Sequence, residues 1–135
     1  MYNNILIPIA PDHEYDLSEV LEVARAVSAE GAKITALTVI ENIPAYVSTQ
    51  LPIGLIEENR SNIASSLQAE LISEPGVEAV AVIGHSATTI LEKAADMAVD
   101  CIVMTSHRPG LTDYFLGSTA ARVVRHAQCS VHIVR

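Results

Sequence analysis

Five short apolar runs recur along the chain, at residues 5–9, 34–40, 77–83, 101–105 and 130–134. They are rich in Val and Ile and mostly continuous rather than alternating in polarity, as in strands covered on both faces. Between them the apolar residues return at helical spacing. Leu17, Val20, Leu21, Ala24 and Val27 form one stripe, and Ile56, Ile63, Leu67 and Leu71 a second. Ile90, Leu91, Ala94, Met97 and Ala98 make a third, and Ala120, Val123 and Val124 a fourth. Asp16 and Glu19 have the spacing of a capping box, Gly31 stands where a helix C-terminal cap belongs, and Pro75-Gly76 stops the second helix. The order is therefore β-α-β-α-β-α-β-α-β. Parallel strands joined by right-handed helical crossovers make a three-layer α/β/α sandwich. A chain of 135 residues suffices for one such domain, spanning 1–135.

With four Tyr, one Phe and no Trp, the core must be aliphatic. A net charge of −8 argues against nucleic acid as a partner, because a phosphate backbone requires a concentrated basic face. Two cysteines, Cys101 and Cys129, are too few for a disulfide framework and fit a reducing compartment. The apolar run at 5–9 is too short for a signal peptide or a membrane span, so a cytoplasmic protein with no membrane insertion is expected.

In an open parallel sheet, ligands sit beyond the carboxyl ends of the strands where the winding reverses. The residues to inspect are thus 8–13, 40–42, 84–86 and 105–119, with 41–54 the one long irregular connection. The most informative stretch is Met104-Thr105-Ser106-His107-Arg108-Pro109-Gly110, followed by Gly117-Ser118-Thr119 at the start of a helix. Unpaired N–H groups at a helix start carry partial positive charge and suit an anion. Gly117 leaves room for a phosphate, the Ser118 and Thr119 hydroxyls can donate to it, and Arg108 can add charge-assisted bonds. On the residues alone, a turn glycine followed by a capping serine with nothing bound explains the same letters.

The combined run resembles the universal stress protein family. Its matching elements are Gly84-His85-Ser86-Ala87, Asp100-Cys101-Ile102-Val103-Met104, Ser106-His107-Arg108, Leu116-Gly117-Ser118, Arg122-Val123-Val124-Arg125-His126-Ala127 and the closing residues 130–135. The opening Asn4-Ile5-Leu6-Ile7-Pro8-Ile9 and Thr38-Val39-Ile40 also fit, so the likeness spans nearly the whole chain. It implies an open five-stranded parallel sheet of order 3-2-1-4-5, like that of the adenine nucleotide alpha hydrolases. It also implies a nucleotide crevice between strands 1 and 4.

The ATP-binding members of the family resemble one another in a loop written G-x2-G-x9-G-[ST]. Here Gly117-Ser118 supplies the final pair, Thr105 takes the first glycine position, and Arg108-Pro109 stands in place of the second in a loop one residue shorter. The Ser-His-Arg-Pro wording resembles the subgroup of bacterial stress protein F, in which nucleotide binding survives this change. Binders usually carry an acid two positions after the strand-1 proline. This chain has Ala10 there, after Ile9, and its nearest carboxylate is Asp12. Carried over residue by residue, the resemblance places adenine against Pro8, Val39 and Met104, with the Val39 backbone reading its edge. Phosphates would meet His107, Arg108, Gly117, Ser118 and Thr119. The implied ligand is ATP, with Mg²⁺ to offset the acidic chain. The family also implies a homodimer through the terminal strand at 130–134, which as an uncovered edge invites pairing.

Other constellations carry less. Val82-Ile83-Gly84-His85 lacks the first histidine of a nucleotidyl-transfer HIGH motif. His126 and Cys129 have no third group, so Cys129 reads as a buried structural thiol. The five histidines show no i,i+4 pairing, and no metal site is expected. Tyr114-Phe115 are expected to pack the phosphate loop onto the body. Two functions remain: an adenine-nucleotide-binding sensor of the stress response, with slow hydrolysis left open, or a nucleotide-independent dimeric interaction module. A transfer enzyme is a distant third for want of a nucleophile–base pair. No catalytic residue is assigned.

Overall fold

A computed structural model describes residues 1–13, 15–106 and 116–135. The described elements run β1 (Tyr2–Pro8), α1 (Ser18–Val27), β2 (Ser28–Ile40), α2 (Ala45–Ser48), α3 (Leu55–Glu70), β3 (Val77–Ile83), α4 (Ser86–Asp96), β4 (Cys101–Thr105), α5 (Ser118–His126) and β5 (Ser130–Val134). The five strands form one sheet in the order β3-β2-β1-β4-β5, and every pairing is parallel. The sheet order and three-layer architecture are thus those expected.

Helices cover both faces, so the middle strand is apolar without interruption from Ile5 to Pro8. Ile5, Ile7 and Ile9 join the α1 side of the core with Leu17, Val20, Leu21, Leu67 and Leu71. Leu6 faces the other way, among Leu37, Ile90, Ala94, Ile102, Ala120 and Val123 from the α4 and α5 side. The winding reverses between β1 and β4, and their carboxyl ends diverge there. At the other end of the same two strands, the Asp100 carboxylate accepts from Asn3 N–H at 2.8 Å and Asn4 N–H at 3.0 Å. Partial burial pushes the Asp100 carboxyl up, but these bonds outweigh it and leave its pKa below the ordinary value.

Two local expectations are corrected. Helix α1 ends at Val27 with Ser28 as its C-cap, and Ser28 Oγ donates to Ala24 O at 2.6 Å. Gly31 therefore lies inside β2, with φ +76°, where the register against β1 jumps from Tyr2↔Ser28 to Asn4↔Lys33. Glycine suits that bulge because a side chain at positive φ is strained. The capping box is replaced by a shorter link, in which Asp16 Oδ1 accepts from Ser18 N–H at 2.9 Å. A third difference is Cys129, which is half-buried rather than fully enclosed, whereas Cys101 is buried.

Thr35 and Thr38 are the buried polar side chains of β2. Thr38 Oγ1 donates to Ile9 O at 3.0 Å, while Thr35 Oγ1 has no hydrogen-bond partner among the described residues. Thr35→Val should therefore raise stability by about 1 kcal/mol and Thr38→Val lower it by about as much. Urea unfolding of the two variants checks this, and equal effects of the same sign would contradict it.

Candidate functional site

The divergence of β1 and β4 opens a cavity of about 920 Å³ at the carboxyl end of the sheet. Its apolar wall contains Pro8, Ile9, Leu37, Val39, Ile90 and Met104. Pro8, Ile9, Val39 and Met104 are buried because they close the strands, and their edges form the cavity floor. The turn after β1 adds Ala10, Pro11, Asp12, His13 and Tyr15, while the end of β4 adds Thr105 and Ser106. The opposite wall is the start of α5, with Gly117, Ser118, Thr119 and Ala120. The cavity therefore draws one side from the α1 half of the molecule and the other from the α4 and α5 half.

Of the residues singled out from sequence, the cavity brings together Pro8, Ile9, Ala10, Asp12, Val39, Met104, Thr105, Gly117, Ser118 and Thr119. His107 and Arg108 lie outside the described residues, as do Tyr114 and Phe115. Helix α5 begins on Gly117 with no side-chain cap, and the first helical turn closes with Ala121 N–H donating to Gly117 O at 2.9 Å. The N–H groups of Ser118 to Ala120 precede the first possible intrahelical bond, so the geometry of any helix leaves them to outside acceptors. Ser106 N–H, by contrast, is spent on Val134 O at 3.0 Å.

Five polar residues of the cavity, His13, Tyr15, Glu41, Ser86 and Ser106, were not among those candidates. Glu41 follows β2 and closes the start of α4, accepting from Ser86 Oγ at 2.7 Å and Ser86 N–H at 3.2 Å. Those two bonds hold its carboxyl below the ordinary value, with a lesser contribution from His85. Tyr15 lies on the wall, packed against the α1 side of the core. Burial raises its phenol pKa, and hydrogen bonds involving Thr105 and the Ala10 backbone lower it in part. His13 Nδ1 lies 2.8 Å from Ala10 O, and its Nε2 lies 2.9 and 3.2 Å from the two carboxylate oxygens of Glu70 on α3. Glu41 and Ser86 fell inside the windows that strand ends mark out, and His13 closed one of them. Tyr15 lay two residues beyond.

Asp12 and Glu41 are the carboxylates of the lining, and no Lys or Arg accompanies them among the described residues. No group of three or more His, Cys, Asp or Glu among the described residues could hold a metal ion. No described helix is long and apolar enough to cross a membrane. A second, smaller hollow of about 320 Å³ lies between the ends of α4 and α5, with Ala94, Ala95, Ala98, His126 and Cys129 on its wall. Burial raises the Cys129 thiol pKa, which makes it a poor nucleophile.

The sequence model of the Universal stress protein family matches residues 1–135. A universal stress protein of Thermus aquaticus is 31% identical over 130 residues, which cover 90% of this chain and 94% of that protein. Among solved structures, the universal stress protein UspA from Lactobacillus plantarum superposes with a TM-score of 0.69 at 25% identity, covering 99% of this chain and 98% of the other. A universal stress protein solved in complex with cAMP has a TM-score of 0.72 at 16% identity, covering 99% of this chain and 97% of that one.

Proposed function

The chain belongs to the universal stress protein family, and from that premise we propose that it binds an adenine nucleotide in the β1/β4 crevice and serves as a regulatory sensor of the stress response. The observation that carries this reading is the pairing of an apolar slot with an uncapped helix start. Pro8, Val39 and Met104 offer an apolar wall for a base. The first turn of α5 offers N–H groups, and Ser118 and Thr119 offer hydroxyls for phosphate oxygens. A solved relative of the same fold holds cAMP, itself an adenine nucleotide, which supports the ligand class.

ATP is the ligand of this proposal. The described lining has two carboxylates and no Lys or Arg, and its His13 is paired with Glu70, so the phosphates need positive charge from elsewhere. His107 and Arg108 are the candidates from sequence, and Mg²⁺ enters only as a counter-ion carried on the phosphates, since the described wall has no cluster to hold it. Asp12 and Ala10 occupy the sugar side of the crevice in this reading. The role is one of binding rather than turnover, exercised as a homodimer through β5, the edge strand of the sheet.

The second reading, an interaction module without nucleotide, is favoured by one observation. Ile43, Tyr46, Ile53 and Leu55 are all exposed along the connection between β2 and α3, an apolar surface that suits a protein partner. Titrating ATP with Mg²⁺ separates the two. A ligand that binds only the folded state must raise the melting temperature, so a dose-dependent rise is expected. No shift at about millimolar nucleotide removes the first reading and leaves the second.

A further inference from the structure

The cavity wall holds a histidine both of whose ring nitrogens face acceptors. A carbonyl oxygen and a carboxylate can only accept, and a neutral imidazole owns a single N–H. It can therefore satisfy Ala10 O or Glu70, but not both. The imidazolium satisfies both, at the 2.8 and 2.9 Å observed. The Tyr15 ring lies 5.6 Å from the His13 ring, centroid to centroid, at a tilt of 56°, within reach of a cation–π attraction.

The same contacts immobilise one peptide group. Ala10 O takes the His13 ring and also the His13 backbone N–H at 3.2 Å. Ala10, Pro11 and Asp12, which the clamp spans, all line the cavity.

We propose that His13, as an imidazolium, is the positioning residue of this cavity: it ties the turn after β1 to α3, fixes the wall against which a ligand rests, and so links ligand binding to a proton. This rests on the nucleotide reading for the identity of the ligand, though not for the clamp itself. The titratable groups in contact with the ring among the described residues are Glu70 from α3 and Tyr15 from its own turn, with Asp12 beside it in the chain. Loss of the ring proton breaks one of the two bonds. Either the turn leaves α3 or the ring releases Ala10 O, and the wall loosens in both cases.

Two measurements on the intact chain test this between about pH 5.5 and about pH 8.5, which brackets the ordinary histidine range. In the first, ring-nitrogen NMR follows the histidines, with His13→Gln assigning the signal. Both His13 nitrogens should carry protons at the acid end, and the amide signals of Ala10 and Asp12 should move as one proton leaves. In the second, adenosine is the probe, because it has no phosphate to titrate. Its affinity should fall about fivefold from the acid to the alkaline end, the worth of one hydrogen bond. His13→Gln should flatten that profile, and Glu70→Gln, which keeps the histidine, should reduce its slope. A His13 ring with one bare nitrogen at the acid end overturns the proposal, as does an identical pH profile in wild type and both variants. Adenosine and ATP failing to bind at every pH, with the doubly protonated ring in place, overturns the nucleotide reading and upholds the clamp.

Discussion

Leu6→Ala should lower the stability of the fold by roughly 3–5 kcal/mol, a large share of the roughly 5–15 kcal/mol that holds a domain of this size together. Leu6 sits on the middle strand, is 0% exposed, and pairs with Thr35 on one side and Ile102 on the other. Its side chain enters the half-core closed by α4 and α5, where Ile90, Ala94 and Val123 surround it. A strand hydrogen-bonded on both sides cannot shift to fill the hole, so the lost contacts and the cavity both count. Urea unfolding with an unchanged slope should show the loss as a lower midpoint. Val124→Ala, on the exposed side of α5, should change stability by less than about 0.5 kcal/mol. Equal losses at the two positions would contradict this account of the core.

The second expectation separates what the fold requires from what a ligand requires. Gly117→Ala should leave the melting temperature unchanged and weaken adenine nucleotide binding at least about tenfold, or about 1.4 kcal/mol. Among the described residues, a Cβ at Gly117 would meet only Ser106 O, at 4.0 Å, and the residue's φ of −58° is open to any amino acid. Nothing in the described packing demands glycine there. Gly84 is the contrast, because an added Cβ would collide with Thr89 Oγ1 on α4 and Thr89 would have to move. If the Gly117 backbone is approached by phosphate, the added methyl stands in the way. Isothermal titration of the variant decides the point, and full affinity would remove the phosphate from this end of the crevice.

Much of this architecture is written in local pattern, and what is not has a physical reason. The strands at 77–83, 101–105 and 130–134 have the bounds that their apolar runs mark. Strand β2 begins six residues before its apolar run, because Ser28 to Lys33 extend past a bulge where burial no longer selects hydrophobic residues. Helix α2 has four residues and no buried side chain, so no periodicity announces it. The crevice was legible from strand ends alone, since parallel order dictates where the winding reverses. Its polar fittings were not. Glu70 lies 57 residues from His13, and Ser86 lies 45 from Glu41. Neither pair leaves a trace in sequence spacing, because only the three-dimensional fold brings the partners together.

Among the described residues the sheet divides the interior into two clusters, Ile5, Ile7 and Ile9 serving one and Leu6 the other. Whatever sits between the Tyr15 side and the α5 side of the crevice touches both halves at once and acts as a cross-brace. An occupant would thus damp their independent breathing, slowing amide exchange in helices it never contacts.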